Sequence, residues 1–296
     1  MQLPFLTMVF SSQKRMLLDG SDRRLFRADN GGNLTERLLE RADFSQSRES
    51  QLLALYSQQA KIKKNDYLEA HSHNRAVIRR HTSIFERYSR FIPTEGTVLD
   101  WGCNHAPDAC LVRMLRGDAM QLYGCDVQGE EYRAFYDFAN LRYTLITHPY
   151  LLPYEDNFFD VVIGSAALEH VPNDSESLKE LYRIIKPGGV FIMTTLPNRF
   201  SYTEWLNRRF HRTHHLRLYS LKEAKHMFIH HGFVPIASGY HQVLPSMCST
   251  GGIFDSRTAN KLVSAIASQN RLGEKLWPVR CFASNLFVVG KKVAAI

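Results

Sequence analysis

The stretch VLDWGCNHAPDA, residues 98–109, most constrains what this chain can fold into. An apolar run ends in Asp100, passes Gly102 and meets Pro107 and the helix-spaced DACLVRML. That order predicts a buried strand, a tight turn and a helix packed back against the strand. The same alternation continues downstream. LYGCDV (122–127), LRYTLI (141–146), FFDVVIGSAAL (158–168) and VFIMTTL (190–196) read as strands. A polar helix-like stretch at 129–139 and SESLKELYRIIKPGG lie between them. In the latter, Leu178, Leu181, Ile184 and Ile185 share a face, and Pro187, Gly188 and Gly189 break the helix. Nearly continuous β-branched strands are those covered on both faces. SLKEAKHMFIHHGF predicts a further helix, with VPIASGY and SNLFVVGKK as the last two strands. The fold class expected is α/β: a Rossmann-like, doubly wound, seven-stranded and mostly parallel sheet with a helical N-terminal extension.

Texture changes suggest the boundaries. Residues 1–92 form the extension, with 1 to about 45 polar and glycine-bearing, and about 48–92 helical. Its apolar positions are Leu52, Leu53, Leu55, Tyr56, Ile78, Ile84, Phe85, Tyr88 and Phe91, and Pro93 and Gly96 stop it. Residues 93–241 form the Rossmann-like domain, 242–283 a helical insertion with a helix at about 257–270, and 284–296 return the last strand. The extension and the insertion are both candidate lids. No internal repeat or low-complexity tract is present.

The net charge of +8 invites a nucleic-acid reading. The basic residues are dispersed, however, with only small clusters such as KIKK (61–64) and RTHHLR (212–217). A nucleic-acid partner is therefore not expected. The five cysteines are odd in number and lack CxxC spacing, which argues against a disulfide framework or structural zinc and suits a reducing compartment. MQLPFLTMVF precedes its basic residues and shows no convincing cleavage site. No apolar run approaches the ~18–20 residues of a membrane span. A cytoplasmic protein without a membrane span is expected.

In a doubly wound sheet, ligands sit beyond the carboxyl ends of the strands, so DWGCNHAPDA is the turn of interest. As a G-x-G-x-x-G dinucleotide turn it fails, since Asn104 and Pro107 occupy two of the three glycine positions. Asp100 at the strand end would also repel a pyrophosphate. S-adenosylmethionine carries no phosphate, but an ammonium, a sulfonium and a ribose diol. An acid at the first strand end suits the ammonium, a glycine lets backbone approach, and a second acid, Asp126, can accept the ribose hydroxyls. Asp100 has a plainer reading as the cap of the following helix.

From about 97 to 198 the chain resembles the class I S-adenosylmethionine-dependent methyltransferases, in particular their small-molecule group. VLDWGCNHA resembles the family's first motif and YGCDV its second, acidic one. LLPYEDNFFDVVIGSAALEHVPNDSESLKELYRIIKPGGVFIMTTLPN resembles its downstream block. The resemblance covers roughly half the chain. It implies S-adenosylmethionine as methyl donor; no metal is expected, because neither the cysteines nor the histidine stretches show metal-ligand spacing. It also implies cofactor contacts from Asp100, Gly102, Cys103, Asn104, Ala106, Asp126, Val127, Leu152, Ser165 and Ala166. Asn104 and Ala106 stand where the family has glycines, and His148-Pro149 where it often has an acid for adenine. Asn tolerates the left-handed region and Ala is the smallest alternative to Gly, so the turn is expected to survive.

The reaction implied is in-line displacement of a sulfonium methyl by a small-molecule acceptor, with oxygen favoured as the acceptor atom. A histidine near neutral pKa suits removal of a hydroxyl proton. The candidates are His170, His214, His215 and Tyr219, with His211 also considered. Glu169-His170 invites an acid–base reading, although this pair recurs in relatives with different acceptors. HRTHH (211–215) and HMFIHH (226–231) lack a partnered acid at metal-ligand spacing. Two other readings stay open: an RNA methyltransferase, or a catalytically weakened relative that binds the cofactor.

Overall fold

A computed structural model describes residues 34–62, 75–128, 132–148, 150–210, 215, 217–243 and 273–293. Strands β1 (Gly96–Trp101), β2 (Met120–Asp126), β3 (Leu141–Leu145), β4 (Phe159–Ser165), β5 (Ile185–Pro197), β6 (Phe233–His241) and β7 (Asn285–Lys292) form one sheet. Their spatial order is β3-β2-β1-β4-β5-β7-β6. The five strands from β3 to β5 run parallel, and only β7 runs against its neighbours β5 and β6. This is the Rossmann-like sheet the alternation predicts.

Side chains alternate between its two faces, as the pleat requires. On one face Val98, Val161 and Ile163 pack with Leu52, Tyr56, Ile78, Phe85 and Tyr88 of the N-terminal helices. Those helices are α1 (Leu34–Ile62) and α2 (Arg75–Tyr88). The same cluster holds Cys110 and Leu111 of α3 (Pro107–Arg116) and Phe135 of α4 (Arg133–Ala139). On the other face Leu99, Val162 and Phe191 meet Leu178 and Leu181 of α5 (Asp174–Ile184). Phe228, from α7 (Leu221–His230), stacks on Phe191 with ring centroids 5.2 Å apart. A buried residue of this size contributes about 1.5–3 kcal/mol, so the two clusters carry most of the stability.

The chain divides into two units, Met1–Phe44 and Ser45–Ile296, and the whole sheet belongs to the second. Three elements differ from the sequence-based expectation. The α1 backbone is already helical at Leu34, inside the stretch expected to be loop, because LTERLLER is built from strong helix formers. Strand β5 begins at Ile185 rather than at Val190. Its register slips between Phe159↔Ile185 and Val161↔Val190, so the Pro-Gly-Gly break ends α5 but is absorbed as a bulge in the strand. Helix α6 (Tyr202–Arg209) is additional to the helices expected, and a Ser201 side-chain cap on the Glu204 amide starts it. The helix expected at about 257–270 lies outside the described residues.

Candidate functional site

The chain leaves β1 toward β2 and β3 and then returns to place β4 on the other side of β1, which makes the β1/β4 crevice the topological switch point. Backbone strain collects along this carboxyl edge. Among the described residues seven non-glycines have positive φ, and five of them sit at the ends of β1, β4, β5 or β6: Asn104, Ala106, Ala166, Thr195 and Gln242. Such strain persists where the surrounding structure over-determines it, as at binding sites.

The turn after β1 is tied to the end of β2. The amides of Gly102 and Cys103 both donate to the Cys125 carbonyl, at 2.9 and 3.2 Å. The Asn104 amide donates to Asp126 Oδ2 at 2.8 Å, and the Tyr136 hydroxyl donates to the Asn104 carbonyl. Gly102 has φ +67, and a Cβ there would stand 2.8 Å from the Ala167 Cβ. Asn104 (φ 46) and Ala106 (φ 53) adopt the left-handed conformation that glycine would adopt freely. The two non-glycine residues thus keep a glycine-type turn.

The two strand-end acids differ. Asp100 is buried, and its Oδ2 accepts the Ala109 amide at 3.1 Å in the first turn of α3. It does cap the helix, as its plainer reading has it. Burial, reinforced by the neighbouring Asp108, holds the Asp100 carboxyl well above the usual carboxylate range. Asp108 is itself buried and accepts a hydrogen bond from the Tyr88 hydroxyl. Asp126 is only half-buried. Its Oδ2 takes the Asn104 amide and its Oδ1 the Gln128 amide, at 2.8 and 3.1 Å, and each oxygen keeps a further lone pair. Val127 beside it is exposed. Cys103 and Cys125 are buried, and burial pushes the Cys125 thiol up to about 12, so both are packing residues rather than nucleophiles.

Leu152 is placed by the helix that follows in sequence. Glu180 Oε1 accepts the Leu152 amide at 2.7 Å, and Arg183 donates to the carbonyls of Leu152 and Tyr154 at 3.1 and 2.9 Å. The Glu-x-x-Arg of α5 is therefore a clamp on the Leu-Pro-Tyr turn. At the opposite edge of the sheet, Asp160 accepts from the Thr97 amide and from Lys186, both at 2.8 Å, which is a structural role.

Ser165 ends β4, its hydroxyl 3.4 Å from that of Thr195, and the Ala166 amide donates to the Thr194 carbonyl at 3.1 Å. Beyond them lies a group of side chains that sequence spacing does not connect. Glu169 is buried, yet neither carboxylate oxygen has a hydrogen-bond partner. Its Oε1 lies 3.9 Å from His170 Nε2. The His170 and His215 rings are 6.0 Å apart. His215 Nδ1 lies 2.8 Å from Glu204 Oε1, and this bond raises the His215 pKa above its ordinary value. Burial raises Glu169 to about 7 and, with His215, lowers His170. The ligating atoms of Glu169, His170 and His215 all lie within 4.8 Å of one another. An acid does therefore partner these histidines, which the spacing of HRTHH alone does not reveal. His211 and His214 fall outside the described residues. Tyr219 is buried, and its hydroxyl donates to Asp174 at 3.1 Å at the start of α5.

One aromatic cluster is also silent in the sequence. His105, in the turn itself, is buried among Tyr56, Tyr132 and Phe135, with its Nε2 2.6 Å from the Tyr56 hydroxyl. Its partner on α1 lies 49 positions away, so no local pattern signals the contact.

Comparison with known proteins agrees with this architecture. Residues 71–238 match a family described as a methyltransferase domain, and the chain belongs to that family. A Mycolicibacterium smegmatis protein named as a probable S-adenosylmethionine-dependent methyltransferase is 27% identical over 125 residues, covering 42% of this chain and 47% of that protein. A Hydrogenovibrio crunogenus ubiquinone/menaquinone biosynthesis C-methyltransferase is 48% identical over 50 residues, covering 17% and 19%. This chain thus spans less than half the length of these curated relatives. One chain of the Haloferax volcanii complex that contains the Trm112 methyltransferase activator shares the fold, with a TM-score of 0.54 and 19% identity over 77% of this chain and 95% of that one. No helix among the described residues is long and apolar enough to cross a membrane.

Proposed function

We propose that this chain transfers the methyl group of S-adenosylmethionine to an oxygen of a small-molecule acceptor. The observation that carries the reading is the pairing of Asp126 with the turn after β1. A half-buried carboxylate at the end of β2 is held by the Asn104 amide, next to a glycine whose missing Cβ lets Ala167 pack closely against the turn. Those features fit the cofactor's ribose diol and its amino-acid tail. Ser165 and Ala166 at the end of β4 and the clamped Leu152 complete the proposed contact set. Asp100 lies buried beneath the turn and holds the start of α3 against it through the Ala109 amide.

When bound, the cofactor supplies an activated methyl on a sulfonium that departs as a neutral thioether. What remains for the protein is to align the partners and exclude water. An oxygen acceptor must also lose a proton, and His170 and His215 at the mouth of β4 are the groups available for it. A small-molecule acceptor is supported by the name of the Hydrogenovibrio crunogenus relative. The retained left-handed turn at Asn104 and Ala106 favours a working cofactor site over a weakened one.

The test is incubation of the purified chain with methyl-labelled S-adenosylmethionine and a small-molecule cell extract, read by mass spectrometry. A low-molecular-weight product bearing the labelled methyl is expected. Label found only in added RNA would overturn the acceptor class.

A further inference from the structure

We infer that Glu169, His170 and His215 form a binding site for a divalent first-row transition-metal cation beside the end of β4. The site consists of two imidazoles and one carboxylate whose ligating atoms lie within 4.8 Å of one another. A cation at their centre needs only a small contraction to reach bonding distances of about 2.0–2.2 Å. Two histidines and one carboxylate leave open positions, the arrangement of catalytic rather than structural sites.

Three features go beyond mere proximity. Glu169 is buried with both oxygens unpartnered, a costly state that a cation would relieve. The Nδ1 of His215 is engaged by Glu204 at 2.8 Å, which leaves Nε2 as the ligating atom and supplies the outer carboxylate that metal-bound histidines commonly have. The segment carrying Glu169 and His170 is also fixed. Arg217 donates to the carbonyls of Leu168, Val171 and Pro172 at 3.2, 2.8 and 3.1 Å, and so ties that segment to the stretch of chain that follows His215.

The cation site stands on these side chains alone. Its consequence for the acceptor rests on the methyltransferase reading. The open positions would take a hydroxyl or enolic oxygen of the acceptor, and the cation would lower that oxygen's pKa in place of direct proton removal by a histidine.

The test uses tag-free, chelator-stripped protein titrated with Zn2+ against a chromogenic chelator, with Co2+ absorption as a second readout. Uptake of about one equivalent per chain is expected, with a Co2+ visible band. Glu169→Gln, His170→Ala and His215→Ala should each weaken binding by roughly tenfold or more, and Glu204→Gln by a smaller factor. Circular dichroism and thermal melts confirm that each variant is folded. A wild-type chain without stoichiometric uptake, or uptake unchanged in all three ligand variants, would overturn the site. S-adenosylhomocysteine binding is measured in parallel with and without Zn2+. Its absence in both conditions would undo the methyltransferase reading and leave the cation site standing. Its presence without Zn2+ uptake would undo only the cation site.

Discussion

Asp126 Oδ2 accepts the amide of Asn104 at 2.8 Å, so the acid at the end of one strand is fixed by the turn that follows its neighbour. The turn that presents the Asn104 amide carries Asn104 itself at a positive φ. Strand end, turn conformation and carboxylate orientation are one coupled unit, and substitutions in the turn test it.

Ala106 is fully buried with φ 53. The left-handed conformation costs Ala about 1–2 kcal/mol, while its buried methyl returns about 0.8 kcal/mol and its smaller chain entropy another ~0.5–1 kcal/mol over Gly. These contributions nearly cancel, which explains how Ala can occupy a glycine position. Ala106→Gly should change stability by less than about 1 kcal/mol in urea denaturation, whereas Ala106→Val should lose about 2 kcal/mol or more. A large gain on placing Gly here would refute the cancellation.

Gly102 has no such latitude, since an added Cβ meets Ala167 at 2.8 Å as well as the positive φ. Gly102→Ala should destabilise by about 2 kcal/mol and weaken S-adenosylhomocysteine binding more than Ala106→Gly does. Equal affinities in the two variants would mean that the turn does not shape the cofactor site.

A buried histidine gives the stability a defined pH limit. Burial lowers the pKa of His241 below its ordinary 6.5, against the opposing pull of Glu274. Glu274 also pairs with Arg87 of α2. Because the unfolded chain takes up the proton first, stability is fully present above about 6.5 and falls as the pH drops toward the lowered folded value. Lowering the pH from about 7.5 to 5 should cost the wild type more stability, relative to its value at about 7.5, than it costs His241→Gln, because Glu169, raised to about 7, pulls the other way equally in both. Parallel curves would assign the loss to other groups.

Much of the fold is legible in the sequence because strands buried on both faces announce themselves as β-branched runs. Val161, Val162 and Ile163 are such a run, and all three are buried. Asp126 and Gly102 are legible because strand-end acids and turn glycines occupy local positions. The proximity of Glu169 to His215 is not, since the two are far apart in the chain and meet only through the fold and the Arg217 tie. His105 is visible but uninterpretable without α1. The start of α1 at Leu34 and the bulged entry into β5 are hidden by nearby glycines, which read locally as breaks.

The central claim is that the Asp126-anchored turn holds S-adenosylmethionine, and calorimetry with S-adenosylhomocysteine tests it most directly. The wild-type chain should bind it, and Asp126→Ala should weaken binding by roughly tenfold to a hundredfold, the worth of charge-assisted hydrogen bonds to a diol. The variant should keep its circular dichroism spectrum. A folded Asp126→Ala chain that binds with unchanged affinity would contradict the account.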